Sequence, residues 1–288
     1  MALRPVVQHL RFPFSFLLLP VYLFALATVP EVDGPRALAA FLLIHLVLYP
    51  SSNAYNGLQD QDTGPVGGIA RPLPAPRALW GITLAMDVLG TLAAFAISYL
   101  FGALFLVYVI FSRLYSYRGI RLKKYPIGGY ITVALAQGAL TYWMSYHAID
   151  AQHPVQAPWQ GMLITTLLIG AFYPITQIYQ HEQDRADGVI TLSARLGVRG
   201  TFLYCAVLYG AAFGVLGAWF ANRNQFQLFL LLLGLFTPVL VWFLLWWREC
   251  SRNPAAANHR NTMQMSWRAA VCTNAAFFIL FLVHRALV

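Results

Sequence analysis

Residues 226–247 read FQLFLLLLGLFTPVLVWFLLWW, a stretch without a single charged side chain. An α-helix needs about 20 predominantly apolar residues to cross the hydrocarbon core of a bilayer. Lipid offers no hydrogen-bond partner to backbone N–H and C=O groups, so a spanning segment must pair these groups internally. The stretch also lacks the alternation of apolar and polar residues that is typical of strands. It therefore predicts a membrane-spanning helix.

Eight further stretches of comparable composition are distributed along the rest of the chain. The nine predicted spans lie at about 12–30, 37–55, 79–97, 99–115, 127–147, 160–179, 200–221, 226–247 and 266–286. No long polar stretch separates them, which indicates a single membrane domain over residues 1–288. The predicted fold class is an all-α integral membrane protein, a bundle of nine transmembrane helices.

The composition excludes an ordinary soluble domain. Hydrophobic residues make up 59% of the 288 residues and charged residues only 10%, whereas a soluble domain carries about 25% charged residues. The net charge of +9 alone would suit nucleic-acid binding. The long apolar stretches argue against nucleic acid as a partner and for membrane lipid. The three cysteines have neither a metal-type spacing nor a CxxC pair.

The basic residues predict the orientation in the membrane. Of the 19 Lys and Arg residues, all except Arg36, Arg223 and Arg285 fall on the side of the N-terminus. The positive-inside rule places that side in the cytoplasm. An odd number of spans then puts the C-terminus on the opposite side. Six acids share the cytoplasmic side, namely Asp60, Asp62, Glu182, Asp184, Asp187 and Glu249.

The second predicted span ends in residues 53–64, NAYNGLQDQDTG, which we call the first acidic segment. Asn56 and Asp60 are four residues apart, so they share one face of a helix. Gly64 and Pro65 begin a glycine- and proline-rich stretch. We expect this stretch to end the helix.

The sixth predicted span ends in residues 180–188, QHEQDRADG, which we call the second acidic segment. Gln180, Asp184 and Asp187 occupy positions i, i+4 and i+7, which predicts a single helical face. Gly188 is expected to terminate this helix, since glycine is the usual residue just beyond a helix end.

Carboxylates gathered at two helix ends on one side of a membrane repel one another unless cations hold them together. Oxygen ligands suit Mg²⁺, which keeps several waters and commonly bridges carboxylates to substrate phosphates. The two segments would thus bind a diphosphate through such ions. Cleavage of an allylic C–O bond would then leave a carbocation, which aromatic faces stabilise. The alternative is that both segments are simply solvated helix ends.

A basic loop from Ser112 to Pro126 follows the fourth predicted span on the same side. Arg121 and Lys123 are suited to bind diphosphate oxygens, the arginine as a planar fork and the lysine as a point charge. An ordinary positive-inside loop, or a contact with anionic lipid, is the alternative interpretation of this loop.

Several stretches, taken in order, resemble the motifs of the UbiA-type intramembrane prenyltransferases. They are Arg11-Phe-Pro13, Asn56-Gly-Leu-Gln-Asp60, Arg71-Pro-Leu-Pro74, Tyr115-Ser116 with Arg121-Leu-Lys123, and the run from Gln180 through Asp184 and Gly188 to Thr191-Leu-Ser-Ala-Arg195-Leu-Gly197. The last is the most specific. The resemblance covers most of the chain. It implies nine helices around a lateral, lipid-open pocket, in which two aspartate-rich motifs bind an isoprenyl diphosphate through Mg²⁺.

The resemblance and the proximity of further acids imply a set of site residues. The catalytic residues implied are Asn56, Asp60 and Asp184. The implied substrate-binding residues are Asn53, Arg71, Tyr115, Arg121, Lys123 and Gln180. The implied metal ligands are Asn56, Asp60, Asp62, Asp184 and Asp187, of which Asp62 and Asp187 are inferred from proximity. The chain departs from the family pattern at Gly57, Gly64 and Gln180, where acids are usual, which leaves the number of metal ions and the acceptor open.

The predicted function is an intramembrane transferase that ionises an isoprenyl diphosphate with Mg²⁺ and transfers the prenyl group to an aromatic or other lipophilic acceptor. A terpene cyclase of the same fold is an alternative, because its ionisation step is identical and needs no acceptor. A transporter, the remote alternative, would carry charges buried in mid-span. Here most acids lie at helix ends on one side, and only Asp87 in the third span is clearly in mid-span. It is expected to face the bundle interior, with a structural or a pocket role equally open.

Overall fold

The computed structural model describes residues 3–287, with side chains to residue 286, and within this range its secondary-structure elements are all helices, with no β-strand. The helices are α1 Leu3–Leu10, α2 Ser15–Thr28, α3 Gly34–Leu42, α4 Tyr49–Asp60, α5 Ala78–Ile97, α6 Tyr99–Ser116, α7 Pro126–Ala134, α8 Thr141–Ile149, α9 Trp159–Phe172, α10 His181–Ala186, α11 Leu192–Ala221, α12 Phe226–Arg252 and α13 His259–Leu287. π-helical turns join α3 to α4 at Leu43–Leu48 and α7 to α8 at Leu135–Leu140.

Within residues 3–287, seven helical segments are long and apolar enough to cross a bilayer. They are Leu3–Thr28, Gly34–Asp60, Ala78–Ile97, Tyr99–Ser116, Leu192–Ala221, Phe226–Arg252 and His259–Ala286. The all-helical membrane class predicted from the sequence is therefore confirmed. The fifth and sixth predicted spans are not among the seven, and the count of nine stays a prediction.

The sixth predicted span, 160–179, is not one helix. The α-helix ends at Phe172, and a 3₁₀ turn, Tyr173–Gln177, follows it. The reason is Pro174, which has no N–H to donate and whose ring clashes with the preceding helical turn. The fifth predicted span corresponds to α7 and α8, which the π-helical turn at Leu135–Leu140 interrupts.

The turn between the third and fourth spans is as short as their spacing predicts. Ser98 alone separates α5 from α6. Its backbone is extended, and its Oγ accepts a hydrogen bond from the N–H of Phe101 at 3.0 Å, which caps α6. Ser98 is a favoured N-cap residue because its side chain satisfies one of the free N–H groups at a helix start.

One stripe of α5 faces the bundle, and the rest of the helix is exposed. The buried residues recur every three or four positions, at Leu79, Thr83, Asp87, Gly90 and Ala94. The expectation that Asp87 faces the interior is thus met. Its Oδ2 accepts a hydrogen bond from Nε of Arg113 on α6 at 2.6 Å, and its Oδ1 accepts one from Oγ of Ser51 on α4 at 2.6 Å. A charge inside a membrane bundle is tolerable when it is paired in this way.

Aromatic side chains form the centre of the bundle. The ring of Phe24 is completely buried and packs against Tyr142, Trp219 and Phe277, with ring centroids 4.9–5.7 Å away. These residues come from α2, α8, α11 and α13, so the first and last spans share one core. Such close aromatic packing closes the bundle around a single interior.

Candidate active site

The two acidic segments meet at one end of the bundle. Nε2 of Gln183 donates a hydrogen bond to Oδ1 of Asp62 at 2.7 Å. Arg121 lies between the segments. Its Nη2 is 3.4 Å from Oδ1 of Asp60, and its Nη1 donates to the carbonyl of Asp187 at 3.0 Å. Arg121 Nη2 also forms a salt bridge with the carboxylate of Asp187. The ends of α4 and α10 are therefore neighbours, although 121 residues separate Asp62 from Gln183.

The first acidic segment begins as a helix, as predicted, but the helix ends earlier than expected. It stops at Asp60, and Gln61 adopts a left-handed conformation with φ of 53°. The N–H of Gln61 still donates to the carbonyl of Gly57 at 3.0 Å. The expectation that the stretch from Gly64 onward ends the helix was wrong, because the left-handed turn at Gln61 has already redirected the chain. Asp62 consequently lies off the helix.

The second acidic segment contains only a short helix. The helix α10 covers His181–Ala186, and Gln180 and Asp187 flank it. The predicted i, i+4, i+7 spacing runs from one cap of this helix to the other, since the N–H of Asp184 donates to the carbonyl of Gln180 at 2.8 Å and the N–H of Asp187 to that of Gln183 at 3.2 Å. Of the three residues, Gln180 and Asp184 line the cavity described below. The preceding 3₁₀ turn uncouples this segment from α9. Gly188 does end the helix as predicted, with φ of 70° and its N–H donating to the carbonyl of Arg185 at 3.1 Å.

Eight of the predicted site residues line one cavity between these helix ends. They are Asn53, Asn56, Asp60, Asp62, Tyr115, Lys123, Gln180 and Asp184. Arg121 and Asp187 are not among the lining residues and touch this group through their ion pairs. The structure does not bring Arg71 to the cavity. Its side chain is exposed, and its carbonyl accepts a hydrogen bond from Nε2 of Gln8 on α1 at 3.2 Å.

Polar contacts fix the side chains around the cavity. Lys123 forms a salt bridge with Asp60. Oγ of Ser116 donates to Oδ1 of Asn56 at 2.9 Å, which orients that amide. The hydroxyl groups of Tyr115 and Tyr173 are hydrogen-bonded to each other. These contacts join α4, α6 and the chain after α9 into one wall, so the predicted ligands on α4 have defined orientations.

The carboxylates differ in their ionisation. Burial raises the pKa of Asp184 to about 7, with Asp60 and Asp62 acting in the same direction and Lys123 opposing. Burial, followed by the charge of Asp60, also raises the pKa of Asp62. Burial opposes ionisation of Asp187 as well, but its hydrogen bond and ion pair with Arg121 lower its pKa. For Asp62 and Asp184, the effect of burial therefore outweighs that of the nearby basic side chains.

The cavity suits an ion that does not rely on protein ligands alone. Within residues 3–287, no group of three or more His, Cys, Asp and Glu residues is arranged to hold a metal by itself. The oxygen donors are nevertheless those that Mg²⁺ prefers, and this ion normally completes its shell with water and phosphate. Oδ2 of Asp62 is buried without a hydrogen-bond partner in the described residues. These donors fit Mg²⁺ bound together with a diphosphate.

Arg11 lines the same cavity and was not among the predicted site residues. Its side chain is only 7% exposed, and its Nε and Nη2 are buried without a hydrogen-bond partner in the described part of the chain. Its backbone is left-handed, with φ of 48°. Gly67 lies against the guanidinium, since a Cβ there would be 3.1 Å from Nη1. The signal in the sequence was the motif Arg11-Phe-Pro13, a cation just before the first apolar stretch.

Away from the acids, the lining of the cavity becomes apolar. Leu17, Leu18, Phe111, Ile169 and Phe172 line this part. A polar mouth with an apolar interior is the usual form of a site for an amphipathic ligand. The arrangement accommodates an anionic head beside Arg11 and Lys123 and a hydrocarbon tail between the helices.

Solved structures share this fold. A UbiA homolog from Archaeoglobus fulgidus bound to GPP and Mg²⁺ has a TM-score of 0.70 at 18% identity, covering 96% of this chain and 99% of that chain. The homolog from the same organism bound to DMAPP and Mg²⁺ has a TM-score of 0.69 at 18% identity, with the same coverage. A structure of digeranylgeranylglyceryl phosphate synthase has a TM-score of 0.62 at 17% identity, covering 97% of this chain and 98% of that one.

Comparison with sequence families gives the assignment. No curated protein matches the chain by sequence. The profile of the UbiA prenyltransferase family matches residues 17–284, which include both acidic segments and the basic loop. The resemblance deduced from the motifs is therefore confirmed, and the protein belongs to the UbiA prenyltransferase family.

Proposed function

We propose that this protein is an intramembrane transferase that ionises an isoprenyl diphosphate with Mg²⁺ and transfers the prenyl group to an aromatic or other lipophilic acceptor. The observation that carries the proposal is the meeting of Asp60, Asp62 and Asp184 at one cavity with Lys123 and Arg11. Solvated helix ends would not need buried acids and a buried, unpaired arginine side by side. Family membership favours this function over the transporter alternative.

The residues divide into two functional groups. Asn56, Asp60, Asp62, Asp184 and Asp187 would hold Mg²⁺ with their side-chain oxygens. The substrate-binding residues would be Arg11, Asn53, Tyr115, Arg121, Lys123 and Gln180, with Arg71 retained as a predicted contact. Bound Mg²⁺ supplies positive charge that stabilises the departing diphosphate.

The basic side chains would bind the diphosphate oxygens and hold the allylic carbon at the entrance of the apolar part. Nε and Nη2 of Arg11 have no other acceptor in the described residues, so a diphosphate oxygen would satisfy them. Lys123 contacts Asp60 and can share its charge between that carboxylate and the substrate. Fixed donors of this kind stabilise developing negative charge because they need no reorganisation.

The apolar part of the cavity would bind the prenyl chain and exclude water from the carbocation. Tyr108, Phe111, Phe172 and Tyr173 contribute aromatic side chains to the lining. Aromatic faces attract cations, and exclusion of water protects a reactive intermediate from hydrolysis. Both properties serve transfer to an acceptor and cyclisation equally, so the acceptor has to be determined by experiment.

The known ligands of relatives support the choice of substrate. The Archaeoglobus fulgidus homolog was solved with Mg²⁺ and either GPP or DMAPP, both of which are isoprenyl diphosphates.

We further propose nine membrane helices around a lateral, lipid-open pocket. In this arrangement the N-terminus and the active site face the cytoplasm, and the C-terminus faces the opposite side. The bias of basic residues toward one side supports this orientation.

The deciding experiment is product analysis with purified protein in lipid nanodiscs. A panel of allylic diphosphates is incubated with and without aromatic and quinone-type acceptors, in Mg²⁺ or in EDTA, and products are identified by mass spectrometry. We expect prenylated acceptor and released diphosphate only in the presence of Mg²⁺ and acceptor. A cyclic hydrocarbon formed without acceptor would support the cyclase alternative, and unchanged turnover in EDTA would contradict the metal-dependent mechanism.

A further inference from the structure

A second cavity lies on the outside of α5 and α6, and we call it the α5–α6 groove. It runs along α5 from Trp80 to Phe95, and its other side runs from Leu106 of α6 to Tyr117, the residue that follows α6. Its volume of about 540 Å³ falls in the range of roughly 300–1,000 Å³ that is usual for ligand pockets. Among the described residues, none lines both this groove and the active-site cavity.

The groove is long enough for the hydrocarbon chain of one leaflet. Fifteen steps along an α-helix from Trp80 to Phe95 span about 22 Å. One leaflet of a bilayer contributes about 15 Å of hydrocarbon, half of the ~30 Å core. The side chains of Leu84, Val88 and Leu92 line the groove and are half-exposed or more. The groove can therefore hold an extended acyl chain of a lipid in the cytoplasmic leaflet.

The floor of the groove is polar but close to neutral. The Asp87–Arg113 pair lies there, and the guanidinium of Arg113 is 3.9 Å from the centre of the Tyr55 ring. Nη1 of Arg113 has no acceptor in the described residues. Because the ion pair cancels most of its own charge, the floor does not itself select a charged ligand.

The mouth of the groove is cationic. A smaller depression shares Trp80 with the groove and is lined by Arg77 and Arg118, together with Gln59 and Gln61. Arg118 already has partners within the protein, since its Nη1 is 3.4 Å from Oδ1 of Asp187 and its Nε donates to the carbonyl of Gln59. Arg77 is exposed and forms no salt bridge within residues 3–287. It therefore has its full charge available to a ligand.

Aromatic residues at the mouth indicate the depth of this site in the membrane. Trp80 and Tyr117 are both more than half exposed. Trp and Tyr concentrate at the membrane–water interface, where the rings contact both lipid chains and head groups. Arg77, one turn from Trp80, is then at the level of lipid phosphates on the predicted cytoplasmic side.

We propose that the α5–α6 groove binds one glycerophospholipid with an anionic head group. One acyl chain lies along Leu84 and Val88, and the phosphate lies beside Arg77. Charge complementarity selects the lipid, because each nearby basic residue attracts a head group with a net negative charge. A zwitterionic head group is attracted less, since its own cation balances the charge of its phosphate. The proposal is independent of the prenyl-transfer function, since no groove residue belongs to the active-site cavity.

Native mass spectrometry of the full-length protein tests the proposal. The protein is titrated with phosphatidylglycerol or phosphatidylcholine of identical acyl chains in a neutral detergent. We expect one phosphatidylglycerol retained about fivefold more strongly than phosphatidylcholine, which corresponds to about one basic contact. Arg77→Ala should abolish this preference. The matched control Arg260→Ala, an exposed arginine outside the groove, should leave it unchanged.

A second pair of variants separates the groove from the general lipid-facing surface. Val88 lines the groove and is 50% exposed, whereas Leu89 is 66% exposed and does not line it. Val88→Trp should fill the groove and lower retention of both lipids at least threefold, while Leu89→Trp should have no effect. Equal retention of the two lipids by the parent, or equal losses in both members of either pair, would overturn the proposal. A protein dimer that Val88→Trp dissociates would replace the lipid by a second copy of the chain.

Discussion

Each acidic segment contains one aspartate that is paired with basic side chains and one that is not. In the first, Asp60 at the end of α4 contacts both Lys123 and Arg121. In the second, the side chain of Asp184 makes no salt bridge or hydrogen bond within the described residues, and its pKa is raised to about 7, chiefly by burial. The other two aspartates are reversed, because Asp187 of the second segment forms a salt bridge with Arg121, whereas Asp62 of the first forms none within the described residues and has a pKa raised by burial. The contrast is therefore between Asp60 and Asp187, which are paired with basic side chains, and Asp62 and Asp184, which are not.

This difference has a consequence for the order of binding. The salt bridges with Lys123 and Arg121 orient the carboxylate of Asp60 before any ligand arrives. A buried acid with a raised pKa carries a proton part of the time at neutral pH and must lose it when a metal binds. Asp60 would therefore provide a fixed part of the site, and Asp184 would become a full ligand only when Mg²⁺ enters with the diphosphate.

The largest expected effect is loss of the acids themselves. Asp60→Asn and Asp184→Asn should each reduce Mg²⁺-dependent diphosphate release by on the order of 10²–10³-fold, the usual cost of removing one preorganised electrostatic group. Released diphosphate is measured together with the thermal midpoint in detergent, to separate chemistry from folding. The matched control is Glu182→Gln, an exposed acid of the second segment that does not line the cavity. Full activity in both aspartate variants would remove the two-segment site.

The next largest effect should come from Arg11, which adds to the cationic surroundings of the first segment. A hydrogen bond to a charged group contributes about 1.5–3 kcal/mol, so Arg11→Ala should raise KM for the diphosphate about 10–100-fold. The concentration of Mg²⁺ needed for half-maximal rate should change little. Arg11→Lys should recover part of the loss because it keeps the charge without the planar fork. A metal requirement that shifts as much as KM would place Arg11 with the metal site instead.

The pH dependence should have opposite signs with and without Mg²⁺. In the proposed site Mg²⁺ would bind the ionised carboxylate of Asp184, so the apparent affinity for Mg²⁺ should fall about tenfold for each pH unit below the pKa of about 7. The metal-free protein should respond in the opposite direction. Because the pKa of Asp184 is raised in the folded state, this group favours folding at low pH, and the contribution is lost as pH rises through 7. Thermal midpoints at pH 5 and pH 8, with and without Mg²⁺, measure both trends.

Asp184→Asn is the control for this pH experiment. The variant has no carboxylate at this position, so the part of the pH slope that belongs to Asp184 should disappear in both conditions. If the parent and the variant show the same slopes, another group is responsible and the contrast between Asp184 and Asp60 fails.

Much of the fold follows from local sequence, and the exceptions have physical reasons. Long uncharged stretches such as 226–247 predict their helices because lipid leaves no other way to satisfy the backbone. The single-residue turn at Ser98 and the helix end at Gly188 also depend on nearby residues only. The break after Phe172 was missed because the composition of 160–179 suggests a span, while Pro174 interrupts the backbone hydrogen bonds.

The candidate site was predictable where motifs carry it and not where distant contacts decide. Asp60 and Asp184 were found from acids at matching helix ends, and the structure brings both to one cavity. Arg11 was overlooked because its burial depends on Gly67 and Asp62, more than fifty residues away in the chain. Arg71 was chosen from a motif alone, and its carbonyl is instead bound by Gln8 of α1.

The smallest expected effect concerns the two left-handed residues at which the helices of the segments end. Gly188 has φ of 70° and Gln61 has φ of 53°. A Cβ in this conformation costs about 1 kcal/mol, so Gly188→Ala should lower the thermal midpoint by about 2–4 °C. Gln61→Gly removes the same strain but adds flexibility to the unfolded chain, so its midpoint should stay level or rise slightly.

Gly210→Ala provides the comparison for these variants. Like Gly188, Gly210 has open space around the position of a Cβ, but it lies inside α11 without a positive φ. Alanine there should therefore raise the midpoint, because it favours a helix by up to about 1 kcal/mol over glycine. If Gly188→Ala and Gly210→Ala shift the midpoint in the same direction, the turn at Gly188 does not need glycine. The second segment would then be held in place by its contacts with Arg121 and Asp62 rather than by its own backbone.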